Sequence, residues 1–450
     1  MNPLRLGIVT LLVGICALAT ASTGAAQSFT ADARSVGMGG ARSTSNIALS
    51  LVAPATPYAV IPVPIGLFQV LGHLDAFDPS SDNFDPAWAI EAASNPMHYT
   101  FGRRSPGGDS PESRFMRDLV NGELNRDLAT YSSFHLPTRI TAEGLASGAW
   151  GPTIKFARRD SGAFQGVFIG AGPYLSVGTA AAIDPRLSDI FETGAHYPNS
   201  TLIMQDNSAI QLAMSIVFGY RARLEVPGWE ERRDGVYLAA NYRYLRGFKY
   251  LQPDVTVRFD TDSQGLLTIN PTTTPIEIAD LEGDKGTGRA VDVGVQIVRD
   301  RWEGGVGVNG IGNQIDWTEL TLKRFTQTSL VSGGEFIEET IANPSGTVTV
   351  KLPVETSGNV GYEGDGYAVR GAVTHGFNGN RFHGGVERTF GMIAVRGGAR
   401  FSRDYWDPTW GVGFGGRVAV DVGFYGTHAN LEEKQQISMA VSIRIERGDR

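Results

Sequence analysis

Residues 439–446 read MAVSIRIE, a stretch in which apolar and polar side chains alternate without a break. A β-strand turns successive side chains to opposite faces, so Met, Val and two Ile share one face while Ala, Ser, Arg and Glu share the other. The same alternation recurs at 393–401 and 418–424. The polar face there consists of Gly, Ala, Ser and isolated charges, which is typical of the lumen of a membrane β-barrel rather than of a solvated surface.

The N-terminus predicts export. Residues 1–26 contain one basic residue, Arg5, followed by an apolar run from Leu6 to Ala19 and by small residues that suit cleavage. This order is typical of a secretory signal peptide, and the run is shorter than the ~20 apolar residues that a spanning helix needs. Because the single cysteine, Cys16, lies inside the run, we expect a mature chain without thiols, disulfides or thiolate metal sites.

The charge and composition of the chain argue against some classes of function and of fold. The net charge is −8, and removal of Arg5 makes the mature chain more acidic, so nucleic acid is not an expected partner. Charged residues make up 19% of the chain and there are 57 glycines, which are low and high values for a soluble globule. A closed barrel in which only every second residue of each strand is apolar accounts for both values. The expected surroundings of such a barrel are outer-membrane lipid.

We therefore predict an all-β fold, a transmembrane antiparallel β-barrel of about 14 strands with an N-terminal plug segment in the lumen. Residues 27–64 lack alternation and are rich in Gly, Ala, Ser and Pro, so they are interpreted as the plug or hatch. Residues 65–450 are assigned to the outer-membrane barrel. The first wall strands are predicted at Ile65–His73 and Met97–Arg103.

Connections outside the wall are predicted from polar composition. Long ones are expected to face outward at 185–207, 252–288 and 320–344. Between Pro111 and Tyr131, four apolar residues recur at helical spacing among charges, which predicts an amphipathic helix that packs on the barrel mouth.

Sequence motifs at both ends of the chain resemble those of a known protein family. Residues 32–41, DARSVGMGGA, resemble the ARSxGMGGA opening of outer-membrane proteins related to the FadL/TodX hydrophobic-compound transporters and to the PorV-like proteins. The closing stretches 395–400, 411–414 and 442–445 are similar to theirs as well. The resemblance identifies a plug motif whose candidate contact residues are Arg34, Ser35, Gly37, Met38, Gly39 and Gly40. From the residues themselves, the three glycines would let the backbone turn with positive φ and run close to the inner wall.

The resemblance implies a fourteen-stranded barrel whose N-terminal segment folds into the lumen. In transporting members it implies passage of hydrophobic molecules from outside, so the expected function is a passive uptake channel for small hydrophobic compounds, with a small hydrophobic or fatty-acid-like ligand. The alternative is a PorV-like structural or docking component of a secretion or surface-attachment system, with a secretion-system partner and no transport. The expected location in either case is the bacterial outer membrane.

No catalytic or metal-binding pattern emerges from the sequence. The seven histidines are scattered without a His-Glu-x-x-His motif, and no G-x-S-x-G elbow is present. We therefore expect no enzymatic activity, no metal and no cofactor.

The sharpest site hypothesis is electrostatic. Several arginines of the C-terminal strands share the inward parity with acidic residues. They could hold the carboxylate of an amphipathic ligand, because Arg presents a planar fork to carboxylate oxygens. Alternatively, they pair with the acids and fix the plug. The candidate lumen residues are Arg370, Arg396, Arg400, Arg444, Asp292, Glu387 and Asp421.

Overall fold

The computed structural model describes the chain from Asp32 to Glu446 with gaps. The residues outside the description are 1–31, 42–45, 47, 50–57, 64, 78–80, 82, 86–87, 89–97, 104, 108–109, 148, 150, 159–162, 230–232, 270, 272, 332–335, 343–345, 378, 403–404, 428–435 and 447–450. The predicted signal peptide, residues 1–26, and much of the predicted plug range, 27–64, lie outside the described residues.

Eighteen strands of the described residues form one sheet, in which every pairing is antiparallel. They are β1 (Tyr58–Val63), β2 (Tyr99–Phe101), β3 (Arg139–Ser147), β4 (Thr153–Arg158), β5 (Phe164–Ile183), β6 (Thr201–Leu224), β7 (Gly235–Asp260), β8 (Ile276–Arg299), β9 (Trp302–Gln327), β10 (Phe336–Ala342), β11 (Val348–Lys351), β12 (Glu355–Gly364), β13 (Tyr367–Gly376), β14 (Gly379–Phe390), β15 (Ile393–Ser402), β16 (Tyr405–Gly415), β17 (Val418–Thr427) and β18 (Gln436–Glu446).

The strands occupy fourteen lanes, where a lane is one strand or a series of segments that follow each other along the same neighbour. β3 and β4 share a lane along β5, β10, β11 and β12 share one along β9, and β1 and β2 share one along β18. The other eleven lanes are single strands. This arrangement confirms the predicted antiparallel β-barrel and its strand number.

Four α-helices accompany the described strands: α1 (Ala33–Gly37), α2 (Gly66–Leu71), α3 (Pro111–Asn121) and α4 (Pro185–Thr193). Two 3₁₀ turns lie at Leu74–Phe77 and Leu128–Tyr131. None of the helices among these residues has the length and apolarity needed to cross a membrane.

The wall turns its apolar side chains outward and its polar ones inward over about ten residues of each lane. On β6, Phe218 is 50% exposed, whereas Arg221 and Ser215 are fully buried. On β15, Val395 faces outward and Arg396 inward. This is the burial pattern of a protein whose outer solvent is lipid, and it confirms the alternation predicted from the sequence.

The two ends of the barrel differ in their longest connections. β8, β12, β14 and β16 end at one side and each return after two residues, and β18 ends at the same side. At the opposite side the β13–β14 and β15–β16 turns are equally short, but the long connections 184–200 and 261–275 also lie there. Because the longer loops of outer-membrane barrels face outward, the side with the long connections is extracellular and the other side is periplasmic. The loops with α3 and α4 lie at the extracellular end and pack into a cap.

The cap confirms the predicted amphipathic helix. α3 begins after Ser110, whose hydroxyl caps Ser113, and ends at Gly122, which has φ +69°. Phe115 and Leu119 are buried against other cap residues and against the inner faces of β6, β7 and β8. The buried residues of the cap and of the strand ends that it covers are Phe115, Met116, Leu119, Leu124, Leu128, Tyr131, Phe134, Leu136, Ala181, Ile183, Leu187, Ile190, Phe191, Leu202, Val255, Val257, Phe259, Leu267, Ile276, Ile278 and Leu330.

Two sequence predictions about the start of the wall are wrong. Ile65–His73 is not a strand, because α2 occupies it; the Gln69 side chain bonds both backbone groups of Thr100 and takes the place of a strand ladder. The wall also begins before residue 65, since β1 pairs along the free edge of β18.

The predicted long connections are also partly wrong. β6 begins at Thr201, β7 continues to Asp260, β8 begins at Ile276 and β9 continues to Gln327, all within segments that we expected to be loops. These parts of the strands lie beyond the lipid belt, where the outer face is polar and the apolar parity faces inward, so they do not continue the outward apolar parity of the other strands.

Candidate functional site

The motif at residues 32–41 builds a short helix and a sharp exit. The Asp32 carboxylate caps α1 by accepting hydrogen bonds from the backbone N–H of Arg34 and the hydroxyl of Ser35. Gly39 and Gly40 follow with φ of +72° and +82°, a conformation that L side chains rarely adopt. The segment Asp32–Ala41, called the plug anchor below, lies on the inner faces of β14–β18.

A chain of ion pairs holds the plug anchor to the wall. Arg34 donates from Nε and Nη2 to both carboxylate oxygens of Glu387, at 2.9 and 2.6 Å. Arg396 donates from Nε to the same carboxylate at 2.5 Å and from Nη2 to Asp421 at 2.7 Å. Arg444 reaches the second oxygen of Asp421 at 3.0 Å. Three arginines and two carboxylates thus form one buried network across four wall strands and α1.

Glycines of the wall make room for the plug anchor. Gly385, Gly398, Gly411 and Gly423 lie on four adjacent strands and face inward. A Cβ on Gly385 would lie 2.4 Å from the Met38 carbonyl oxygen, and one on Gly398 would lie 2.6 Å from the Gly39 nitrogen. Backbone therefore lies directly on backbone, which any larger residue would prevent.

The plug backbone is also hydrogen-bonded to wall side chains. Thr409 accepts from the N–H of Gly39 at 2.8 Å and donates to the carbonyl of Gly37. The His383 ring contacts the Gly39 carbonyl at 2.7 Å. These bonds add to the backbone bond from Gly39 to Val36 and satisfy the carbonyl groups of Gly37 and Gly39 at the end of α1.

A second contact lies on the opposite side of the lumen. Asn46 donates to Asn309 Oδ1 and to the Val293 carbonyl, both at 2.9 Å, and Leu49 is fully buried with Tyr237. Gly294 and Gly307 provide the space, since a Cβ on either would overlap Asn46. Described residues of the N-terminal segment therefore contact the inner faces of both β14–β18 and β7–β9.

The structure brings some predicted site residues together and separates others. Arg34, Glu387, Arg396, Asp421 and Arg444 share the network above. Arg400 instead pairs with Asp407 at 3.0 Å and lies over the Tyr425 ring.

Two predicted residues lie outside this group. Arg370 lies 3.3 Å from Glu303. Asp292 pairs with Arg243 at 2.7 Å on the far wall. The ion pairs favour the reading in which the C-terminal arginines fix the plug over the reading in which they hold a ligand.

Sequence reasoning missed a second polar group, on the inner faces of β6–β8. Arg221 is fully buried, stacks on Phe168 at 4.6 Å, and its three guanidinium nitrogens have no hydrogen-bond partner among the described residues. Asn241 is next to it and is likewise unsatisfied in that part of the chain. The alternation of apolar and polar residues along β6 turns Arg221 inward, but no sequence signal marks a side chain that lacks a partner.

Above this polar level, the inner face becomes apolar. Trp317 is fully buried, stacks on Tyr250 at 5.4 Å, and donates its indole N–H to Gln211. We call this group the upper lumen cluster; its buried members are Tyr174, Ala213, Leu245, Tyr250, Ile315, Trp317 and Leu320. It lies between the polar lumen and the cap.

No protein-family model and no curated protein matches the sequence. Among solved structures, the chain is similar to the Ralstonia pickettii toluene transporter TbuX (10% identity over 73% of this chain and 93% of that one, TM-score 0.33). It is also similar to the Pseudomonas putida toluene transporter TodX (9%, 72% and 92%, TM-score 0.34) and to a Rh. blastica porin variant (8%, 67% and 99%, TM-score 0.22). The fold itself rests on the strand pairing and burial described above.

Charged groups stabilise the cap above the site. Backbone N–H groups of Gln264 and Leu266 bond the Asp262 carboxylate, and with Arg126 nearby they lower its pKa below the ordinary value. Burial, with a hydrogen bond to Asp118, raises the pKa of Tyr131 well above its usual range. Within the described ranges, no three His, Cys, Asp or Glu side chains are grouped to hold a metal ion.

Proposed function

We propose that this protein is a passive uptake channel for small hydrophobic compounds in the bacterial outer membrane, reached through a cleaved signal peptide and without catalytic chemistry. The observation that carries the proposal is the upper lumen cluster. Aromatic and aliphatic side chains line the inner face of β5, β7 and β9 at the extracellular side, where a channel for hydrophilic solutes would be polar.

The energetic argument concerns apolar surface. A small aromatic molecule that leaves water for this cluster gains roughly 25 cal/mol per Å² of buried apolar area. The extracellular mouth therefore favours apolar over polar solutes. The plug anchor and Asn46 contact opposite walls of the lumen below it, so passage toward the periplasm requires one of these two contacts to open.

The toluene transporters TbuX and TodX carry names that agree with this proposal. The proposal for the present chain rests on its own inner face, because Trp317 and Leu245 are buried inside the barrel rather than in contact with lipid.

A docking component of a secretion or surface-attachment system is the second candidate. The observation that favours it is that the barrel wall is much taller on one side. There β5–β9 continue far beyond the bilayer with a polar, ion-paired outer face. Such a wall offers a large rigid surface to a partner and needs no route through the lumen.

Uptake of radiolabelled toluene by cells that express the protein, compared with cells carrying an empty vector, separates the two. Leu245→Lys introduces a charge into the upper lumen cluster, and Ala213→Phe fills the same space without one. The matched control is Ile337→Lys, at an exposed position of β10 where that strand pairs with the last residues of β9. Folding is checked by the heat-dependent shift of the barrel on a detergent gel.

The channel proposal predicts uptake above the empty vector, reduced by Leu245→Lys or Ala213→Phe and unchanged by Ile337→Lys. A folded wild-type barrel without toluene uptake would contradict it and would favour the docking candidate.

A further inference from the structure

Two arginines lie on the outer face of the barrel at the edge of the lipid belt. On β7 the outward side chains Tyr242 and Tyr244 are exposed and are followed by exposed Arg246. On β8, Val293 is followed on the same face by Val291 and then by exposed Arg289. Counted from the periplasmic end of each strand, both arginines come about ten residues up, which is the length that crosses the hydrocarbon.

The two arginines are close neighbours. Arg289 pairs with Tyr244 in the ladder, and Arg246 pairs with Thr287. Arg246 and Arg289 are therefore diagonal partners on one face, with Cα atoms roughly 7–8 Å apart. Side chains of this length converge readily on one group between them.

Neither guanidinium has a counterion among the residues that the structure describes. In the described part of the chain, no ion pair or hydrogen bond involves Arg246 or Arg289. The lysines higher on the same face differ: Lys249 and Lys323 share Glu282, and Lys285 pairs with Glu319. Two like charges held side by side repel each other, and an anion bound between them would remove that repulsion.

The surroundings indicate which anion. Met214, opposite Arg246 on β6, is 45% exposed and belongs to the lipid belt, and Tyr244 lies at the interfacial level where aromatic girdles occur. An anion at this depth is a headgroup of the outer leaflet. Arg presents paired donors to phosphate oxygens, so phosphate is the preferred group.

We propose that Arg246 and Arg289 form a binding site for the phosphate of an outer-leaflet lipid, which fixes the depth of the long-strand side of the barrel. The proposal rests on the outer-membrane location and orientation but not on transport.

The test is native mass spectrometry of the purified barrel in detergent, titrated with bisphosphorylated lipid A. We compare wild type, Arg246→Gln, Arg289→Gln and the double variant. The matched control is Arg388→Gln, an exposed arginine near Tyr367 at the periplasmic edge of the belt. The gel shift establishes folding, and toluene uptake is measured in parallel.

We expect the double variant to retain lipid A about tenfold less well than wild type, with intermediate single variants, because charge-assisted hydrogen bonds to phosphate are lost. Arg388→Gln should bind like wild type, and lipid A without its phosphates should bind wild type as weakly as the double variant binds intact lipid A. Uptake should be unchanged.

Equal lipid A retention by the double variant, equal loss in Arg388→Gln, or displacement of lipid A by millimolar inorganic phosphate would overturn the proposal. Loss of uptake with normal lipid binding would bear on the channel proposal alone.

Discussion

The half of the wall formed by β5–β9 and the half formed by β13–β18 differ in length. The strands of the first half have 20–26 residues, and those of the second have 10–12. About ten tilted residues cross the hydrocarbon, so the short half ends where the bilayer ends. The long half continues roughly 30–50 Å further along the strand, at about 3.3 Å per residue.

The continuation shows that solvent decides which face is apolar. Within the bilayer, β7 turns Tyr242 outward and Asn241 inward. Further along the same strand, polar Thr256 faces outward, while Val255 and Val257 are buried inside. The backbone alternation is the same in both parts, but the apolar parity is exchanged because lipid surrounds the lower part and water the upper.

The short half has a different task, since it holds the plug anchor. Its inner face combines a buried ion network with a track of glycines, whereas the inner face of the long half has an apolar cluster and a cap. Four predictions test this division of roles, in order of decreasing effect.

The largest effect is expected when the plug network loses an acid. Glu387→Ala leaves Arg34 and Arg396 buried without their shared carboxylate, which should cost about 3–5 kcal/mol of unfolding free energy. Urea unfolding followed by the gel shift measures it. Asp365→Ala, which breaks an exposed pair with Arg301, should cost at most ~1 kcal/mol. Equal losses in the two variants would show that the network does not anchor the plug.

The second prediction tests whether the apolar face of the strands changes from outward in the bilayer to inward in water. Val295→Arg puts a charge on the lipid face near the middle of the belt and should cost about 2–4 kcal/mol in refolding into lipid vesicles. Thr256→Arg, outward on the continuation of β7, should be nearly neutral because water surrounds it. Similar costs at both positions would contradict the assignment of Val295 to lipid and of Thr256 to water.

The third effect is steric. Gly398→Ala brings a Cβ to 2.6 Å from the Gly39 nitrogen and should displace the plug anchor, at a cost of about 1–3 kcal/mol. The control is Gly397→Ala, where an added Cβ meets nothing within 4 Å. Labelling of an introduced Ser35→Cys thiol should become faster only with Gly398→Ala. Unchanged labelling would mean that the glycine track is not needed.

The smallest effect concerns the cap at acid pH. The folded pKa of Asp262 is lowered from 3.8, so its contribution to stability is present above about pH 4 and is lost as the pH falls through the folded pKa. Pepsin cleavage near residues 262–267 should therefore increase below pH 4. Asp262→Asn should show this cleavage with little dependence on pH, and a wild-type profile in that variant would contradict the assignment.

The sequence predicted the short half well and the long half poorly. In β15, β17 and β18 one parity is apolar from end to end, so the strands, the inward arginines and the barrel class could all be read from the pattern. In β7 and β8 the exchange of parity interrupts the pattern, and 252–288 therefore had the composition of a loop.

The candidate site was predictable in part for a related reason. Arg396 and Glu387 were recognisable as inward charges, but their pairing with Arg34 depends on where the plug enters, which spacing does not encode. The sequence did not distinguish Gly398 and Gly423 from the other glycines among the 57 of the chain. They are needed because the backbone of the plug anchor, from a distant part of the chain, lies directly against them.

The most direct test is a spin-label scan along the outward face of β7. Single cysteines replace Tyr242, Tyr244, Asp254 and Thr256 in the barrel reconstituted in vesicles, and accessibility to oxygen is compared with accessibility to a water-soluble nickel complex. We predict that oxygen dominates at 242 and 244 and that the nickel complex dominates at 254 and 256. The same ratio at all four positions would contradict a barrel whose strands pass from lipid into water.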